Sequence, residues 1–167
     1  MDTKVFTTEK VARILDLPEW RVVRFAQGKK YGITPAFGQA AGSGTRRLYD
    51  LENVCEMAVA SSLTKAGLRI EVIARVLTQV RKQGGLSHLL NLPGAKLLDL
   101  FLGVIRARRG NSTSQEAVYL QNWEQLQNIF RKNQDASVLI VPLGIIFMLV
   151  KHFLEELDEE EKKAKGA

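Results

Sequence analysis

Asp16-Leu17-Pro18 interrupts two short segments of helical spacing, and this break constrains the N-terminal half of the chain more than any other feature. Ahead of it, Thr7 suits an N-cap, Glu9 falls in the first turn and Phe6 can reach Val11 as a hydrophobic staple. A helix is therefore predicted from about Thr8 to Leu15, with Val11, Ile14 and Leu15 as its apolar face. Beyond the break, Pro18 suits the first turn of a second helix reaching about Gln27. Two short helices joined by a tight turn make a helix-turn-helix candidate.

A rotation of about 100° per residue puts Val22, Val23 and Ala26 on one side of the second helix and Arg21 and Arg24 on the other, with Trp20 and Phe25 as flanks. The apolar side can pack on the first helix. The arginine side faces outward, where guanidinium forks can bind phosphate oxygens or the acceptor edge of guanine in a major groove. From Trp20 to Tyr49 the chain carries no acid, and its charged residues are Arg21, Arg24, Lys29, Lys30, Arg46 and Arg47. A solvated amphipathic helix is the alternative for the two arginines taken alone.

The glycine-rich stretch "YGITPAFGQAAGSGTRRLYD" has β-branched or aromatic residues at Tyr31, Ile33, Thr34 and Phe37 and ends in Arg46-Arg47-Leu48-Tyr49. It suits a small β-hairpin, a basic wing on which Arg47 and Tyr49 share a face. Asp50 can cap a third helix with Leu51, Val54, Met57, Ala58 and Leu63 turned inward, ending near Gly67. A fourth is predicted from about Arg69 to Lys82, with Ile70, Ile73, Ala74, Leu77 and Val80 at helical spacing.

Over about residues 5 to 80, the order of these elements resembles the DNA-binding domain of MerR-type transcription regulators. "FTTEKVARILDLP" is similar to the family's opening helix, "WRVVRF" to its recognition helix, "YGITP" to the start of its wing, "RRLY" to the arginine-x-tyrosine at the wing's end, and "KAGLRIEVIARVL" to the helix that follows. The resemblance implies that Arg24 is the recognition-helix arginine, Phe25 the aromatic after it, Val23 the buried leucine position, and Arg47 and Tyr49 the backbone-contacting pair. The chain departs from the family at Ala26, where a second tyrosine is common, and its wing tip, Gln39 to Gly44, is longer than usual. These departures leave the base preference and the path of the wing open.

Charge divides the chain unevenly. Up to Gln83, fourteen Lys and Arg face eight Asp and Glu, whereas from Gly84 onward the count is ten against ten, so the net charge of +6 belongs to the first half. This asymmetry points to a polyanion partner for that half, with Gly84-Gly85 and Pro93-Gly94 as a hinge. The predicted organisation is a mainly α winged helix-turn-helix domain over 1–83, a linker over 84–94, a small α+β domain for dimerisation or effector binding over 95–157, and a charged tail over 158–167.

In the second half, "LLDLFLGVIRA", ambiguous between helix and strand, and "EAVYLQN" favour a hairpin across the polar loop "RRGNSTSQ". "WEQLQNIFRKN" then reads as a helix, "SVLIV" as a buried strand and "IIFMLVKHFLEELDEEE" as an amphipathic closing helix. The expected order is strand, strand, helix, strand, helix. Two apolar segments, Leu97 to Ile105 and Val138 to Leu149, can cover each other or a second subunit, and a homodimer through this half is the preferred reading.

No enzyme constellation stands out: the chain has no phosphate-binding glycine loop, nucleophile elbow or paired-carboxylate arrangement. The single cysteine, Cys55, reads as a small buried apolar residue, and His88 and His152 are too isolated to suggest a metal site. No metal or cofactor is expected, and no effector can be identified. Val138 to Val150 is too short for a membrane span and contains Pro142 and Gly144; the N-terminus has no signal-peptide features, so a reducing cytoplasm is expected. Together with the MerR-type resemblance, these residues lead to the expectation of a sequence-specific DNA-binding transcription regulator acting on duplex DNA as a dimer. The candidate contacts are Arg21, Arg24, Phe25, Lys29, Lys30, Arg46, Arg47 and Tyr49. The alternatives are an architectural or recombination-directing DNA-binding protein and a protein-interaction adaptor.

Overall fold

A computed structural model describes residues 4–36, 47–109, 112–120, 123–132 and 137–165. Among the described residues the protein is mainly helical, with two small sheets. Helix α1 (Thr8–Ile14) is capped by Thr7, whose hydroxyl accepts from the Lys10 amide at 3.3 Å. Its C-terminus closes in a Schellman arrangement: the Leu17 amide donates to the Ala12 carbonyl at 2.9 Å and the Asp16 amide to the Arg13 carbonyl at 3.2 Å. Asp16 takes the left-handed conformation, φ +48°, that this motif requires and that glycine usually occupies. The turn hands the chain to α2 (Glu19–Phe25), which Pro18 precedes as the extended N-cap residue rather than as its first helical residue.

The next segment departs from the hairpin expectation. Lys29 and Lys30 lie in a one-turn helix, α3 (Gly28–Tyr31), because Tyr31 turns inward and meets the Phe25 ring edge-on at a centroid distance of 4.9 Å. The strand before Asp50, β2 (Leu48–Tyr49), pairs antiparallel with β1 (Phe6–Thr7), Phe6 opposite Tyr49, and among the described residues 32–36 form no strand with it. The expected wing tip, Gln39 to Gly44, together with Phe37 and Arg46, lies outside the described residues.

Helix α4 (Leu51–Lys65) is capped by Asp50, which accepts from the Asn53 amide at 2.8 Å. It is buried on nearly all sides from Asn53 to Ser61, because α2, α5 (Ile70–Lys82) and α8 (Leu143–Lys165) all pack on it. One acid is trapped in that position. Glu56, 2% exposed, is held by a bidentate pair from the Arg81 guanidinium, with Nη2 to Oε2 at 2.8 Å. Burial nonetheless keeps its carboxyl above the usual carboxylate range, with Arg81 pulling the other way.

The segment expected to be a linker is folded against α4. The Glu52 carboxylate accepts from the Leu86 and Ser87 amides at 2.6 and 2.7 Å, fixing the start of a 3-10 helix, Ser87–Asn91. Gly85, at φ +77°, lies so close that a Cβ there would come within 2.7 Å of Glu52 Oε1. Leu86, Leu89 and Leu90 join a single hydrophobic cluster running from Phe6 to Leu157, so one core spans both halves.

The second half follows the expected order. A short helix, α6 (Gly94–Leu98), leads to β3 (Phe101–Arg109), β4 (Ser112–Leu120), α7 (Trp123–Lys132), β5 (Ser137–Val141) and α8. The sheet is antiparallel in the order β4-β3-β5, with Leu102 opposite Val141 and Arg106 opposite Ser137. Gly144 lets α6 approach the first turn of α8: a Cβ there would overlap the Leu97 carbonyl oxygen. The acidic end, expected as a fraying tail, stays helical to Lys165 and lies along the first helix. Asp158 pairs with Lys4, and Glu160 with Arg13 at 3.0 Å, while Leu157 is buried beneath them.

Candidate nucleic-acid interface

The inner side of α2 is fixed first. Val22, Phe25 and Ala26 are buried, and Val23 is partly so, which sets the rotation of the helix on α1 and α4. The outer side then carries Trp20, Arg24 and Gln27, all exposed, with Arg21 half-buried beside them. Trp20 is 62% exposed, and it lies one turn before Arg24 on the same face. Trp and Arg are enriched among the anchors of binding surfaces, so an exposed Trp one turn from Arg24 joins the candidate contacts, although its sequence position marks it only as a flank. The i, i+4 spacing to Arg24 was the available signal.

Two candidates are corrected. Phe25 is 1% exposed and packs on Tyr31, so its ring belongs to the core and not to a contact surface. Tyr49 is fully buried in β2 opposite Phe6, and its hydroxyl has no hydrogen-bond partner among the described residues. Arg47, directly before that strand, is half-buried, so it and Tyr49 do not share an exposed face. Arg46 lies outside the described residues, and Lys29 is placed in α3 beside the exposed Lys30.

The cations of the first half separate into two groups. Lys4, Arg13 and Arg81 are matched by Asp158, Glu160 and Glu56. Arg21, Arg24, Lys30 and Arg47 have no ion pair within the described residues, and neither do Lys65, Arg69, Arg75 and Lys82 farther along the chain. The uncompensated charge thus forms one group on α2, on the one-turn helix after it and at the base of β2, and a second along the end of α4 and on α5. Asn53 supports the same region from the buried α4: its side-chain amide donates to the Thr34 carbonyl at 3.1 Å, and its Oδ1 accepts from the Ala36 amide at 3.0 Å. This clamp fixes the chain where it enters the glycine-rich segment, a role that α-helical periodicity could not reveal.

Burial pushes the Cys55 thiol far above its ordinary range, with Glu52, Glu56 and Asp50 adding to the shift, so the thiol stays protonated and unreactive. Among the described residues no group of three or more His, Cys, Asp or Glu is placed to hold a metal ion, and no helix is long and apolar enough to cross a membrane. A scan of protein-family models and a search of curated proteins gave no match to this chain.

Proposed function

We propose that this protein is a transcription regulator that binds duplex DNA in a sequence-specific manner, with α1 and α2 as a helix-turn-helix and α2 as the recognition helix. One observation carries the reading: Arg21 and Arg24 stand without acid partners among the described residues on the outer side of a helix whose inner side is locked into the core. A rigid helix presenting guanidinium forks suits a major groove, where each bidentate arginine–guanine contact contributes about 1–3 kcal/mol of discrimination. Lys29, Lys30, Arg46 and Arg47 then hold the phosphate backbone and set the register. The resemblance of residues 5 to 80 to MerR-type DNA-binding domains supports the same assignment, including a winged form of the domain and a bent binding site.

A dimer follows from how such domains read paired half-sites. Its support is a stripe on α8, where Ile145, Met148 and Leu149 are 55%, 44% and 54% exposed at i, i+3 and i+4 spacing. The exposed Trp20 beside two arginines favours a second reading, an adaptor docking on an acidic protein surface, because Trp and Arg dominate the anchors of protein interfaces. Fluorescence anisotropy on a labelled duplex separates the two. Arg24→Ala and Trp20→Ala should each weaken duplex binding about tenfold or more, with Arg131→Ala on α7 as an inert control. An intact protein that leaves duplex DNA unbound at low salt removes the regulator reading.

A further inference from the structure

A cavity of about 670 Å³ opens between the start of α5 and one face of the three-stranded sheet, with no residue of α2 among those lining it. The register of β3 against β5 explains its form. Leu102 and Val141 are opposite one another and buried in the core, Val104 and Leu139 come next on the same face, and Arg106 and Ser137 follow at the outer end. The sheet face therefore leaves the core as an apolar ramp and ends in a guanidinium. Across the gap, α5 and the turn before it supply Leu68 and Val72 as apolar wall and Arg69 and Arg75 as further cations.

Three arginines against one lining acid, Glu71, is an unusual balance for a space with an apolar floor. Arg69, Arg75 and Arg106 are all exposed and have no ion pair among the described residues. Arg75 is partly steered by its own helix, its Nε donating to the Glu71 carbonyl at 3.3 Å, which leaves its terminal nitrogens for another acceptor. The volume falls in the range of small-molecule sites, and such sites combine apolar walls with a few convergent polar groups. We propose that this cavity binds an amphipathic organic anion, with its apolar body along Val72, Val104 and Leu139 and its anionic head between Arg69, Arg75 and Arg106. The forked donors of these side chains match a carboxylate or similar planar head in a way that lysines would not. This site is independent of the DNA-binding reading and stands or falls separately.

The test uses the intact chain and the probe 1-anilinonaphthalene-8-sulfonate, itself an apolar body with an anionic head. The fluorescence titration should saturate at one probe per chain, and decanoate should displace it where decan-1-ol at the same concentration does not. Arg106→Ala and Arg75→Ala, on different elements and both exposed, should each weaken binding about tenfold, as expected for loss of one charge-assisted hydrogen bond. Leu139→Glu, which places a negative charge on the apolar ramp, should abolish it, and Arg131→Ala should leave it unchanged. Circular dichroism and thermal unfolding verify that each variant is folded. The proposal is overturned by the absence of a saturable site, by arginine variants that bind as the parent does, or by decan-1-ol displacing the probe as well as decanoate.

Discussion

Replacing Arg81 with alanine should destabilise the protein in a way that depends on pH, because the substitution strands a buried carboxylate. Glu56 is 2% exposed, whereas the Arg81 side chain that satisfies it is 36% exposed. Breaking a buried pair by removing one partner costs about 3–5 kcal/mol, and the solvent reaching the Arg81 side brings the expectation toward about 2–3 kcal/mol. For a chain of this size that corresponds to a fall in Tm of about 4–12 °C. The sign of the pH dependence follows from the direction of the Glu56 shift. Its folded-state pKa is raised by burial, so its contribution to stability is fully present below the unfolded value, about 4.3, and is lost as pH rises through the folded value. Arg81 limits that loss by holding the ionised form, and without it the folded pKa climbs further and the loss continues to higher pH. The gap between parent and Arg81→Ala should therefore be small near pH 4 and widen toward pH 8, as read by urea denaturation followed by circular dichroism. Adding Glu56→Gln to the variant should recover part of the stability and flatten the pH dependence. A gap that is constant with pH, or absent at pH 8, would refute the assignment of a buried, Arg81-dependent charge.

Three further substitutions test how the elements are held. Gly144→Ala should cost about 3 kcal/mol in chemical denaturation, since the added methyl meets Leu97 backbone rather than a movable side chain; a change under 1 kcal/mol contradicts the close approach of α6 to α8. Asp16→Gly should raise stability by about 0.5–1 kcal/mol, seen as a higher urea midpoint, by relieving the left-handed conformation in the Schellman closure of α1; a loss of stability contradicts that geometry. Tyr49→Phe should leave stability unchanged or raise it by up to about 1 kcal/mol, because it removes a buried hydroxyl without a partner among the described residues, and should leave duplex affinity unchanged. A weakened duplex complex for Tyr49→Phe would return that residue to the contact surface.

The elements legible in the sequence are those whose signals are local. Thr7 and Asp50 announce caps, Gly67 and Gly84 end helices in positive φ, and the short apolar runs bounded by polar turns gave β3, β4 and β5 in the right order. What escaped depends on partners distant in the chain. Tyr31 and Ile33 favour strands by composition, yet Tyr31 is drawn inward by Phe25 and closes a helical turn instead. Asp158 and Glu160 read as a solvated run because Lys4 and Arg13, which they meet, are separated from them by most of the chain. The spacing of α4 marks one apolar face, and nothing in it tells that Arg81 allows Glu56 to be buried as well. At the candidate interface the sequence predicts the outward side of α2 for Arg21 and Arg24, where they lie, because their inner neighbours are apolar at helical spacing. Phe25 and Tyr49 turn into the core, since an aromatic beside a basic residue gives no local sign of which way its ring turns.

The central claim, that the uncompensated cations around α2 meet a nucleic-acid backbone, is tested most directly by the salt dependence of duplex binding by the intact chain. If Lys29, Lys30, Arg46 and Arg47 of both protomers neutralise roughly eight phosphates, the logarithm of the association constant should fall against the logarithm of salt concentration with a slope of about −7. Arg47→Ala should flatten that slope by about one to two units, one phosphate for each protomer. A slope near zero, or no binding to duplex at low salt, would contradict the account.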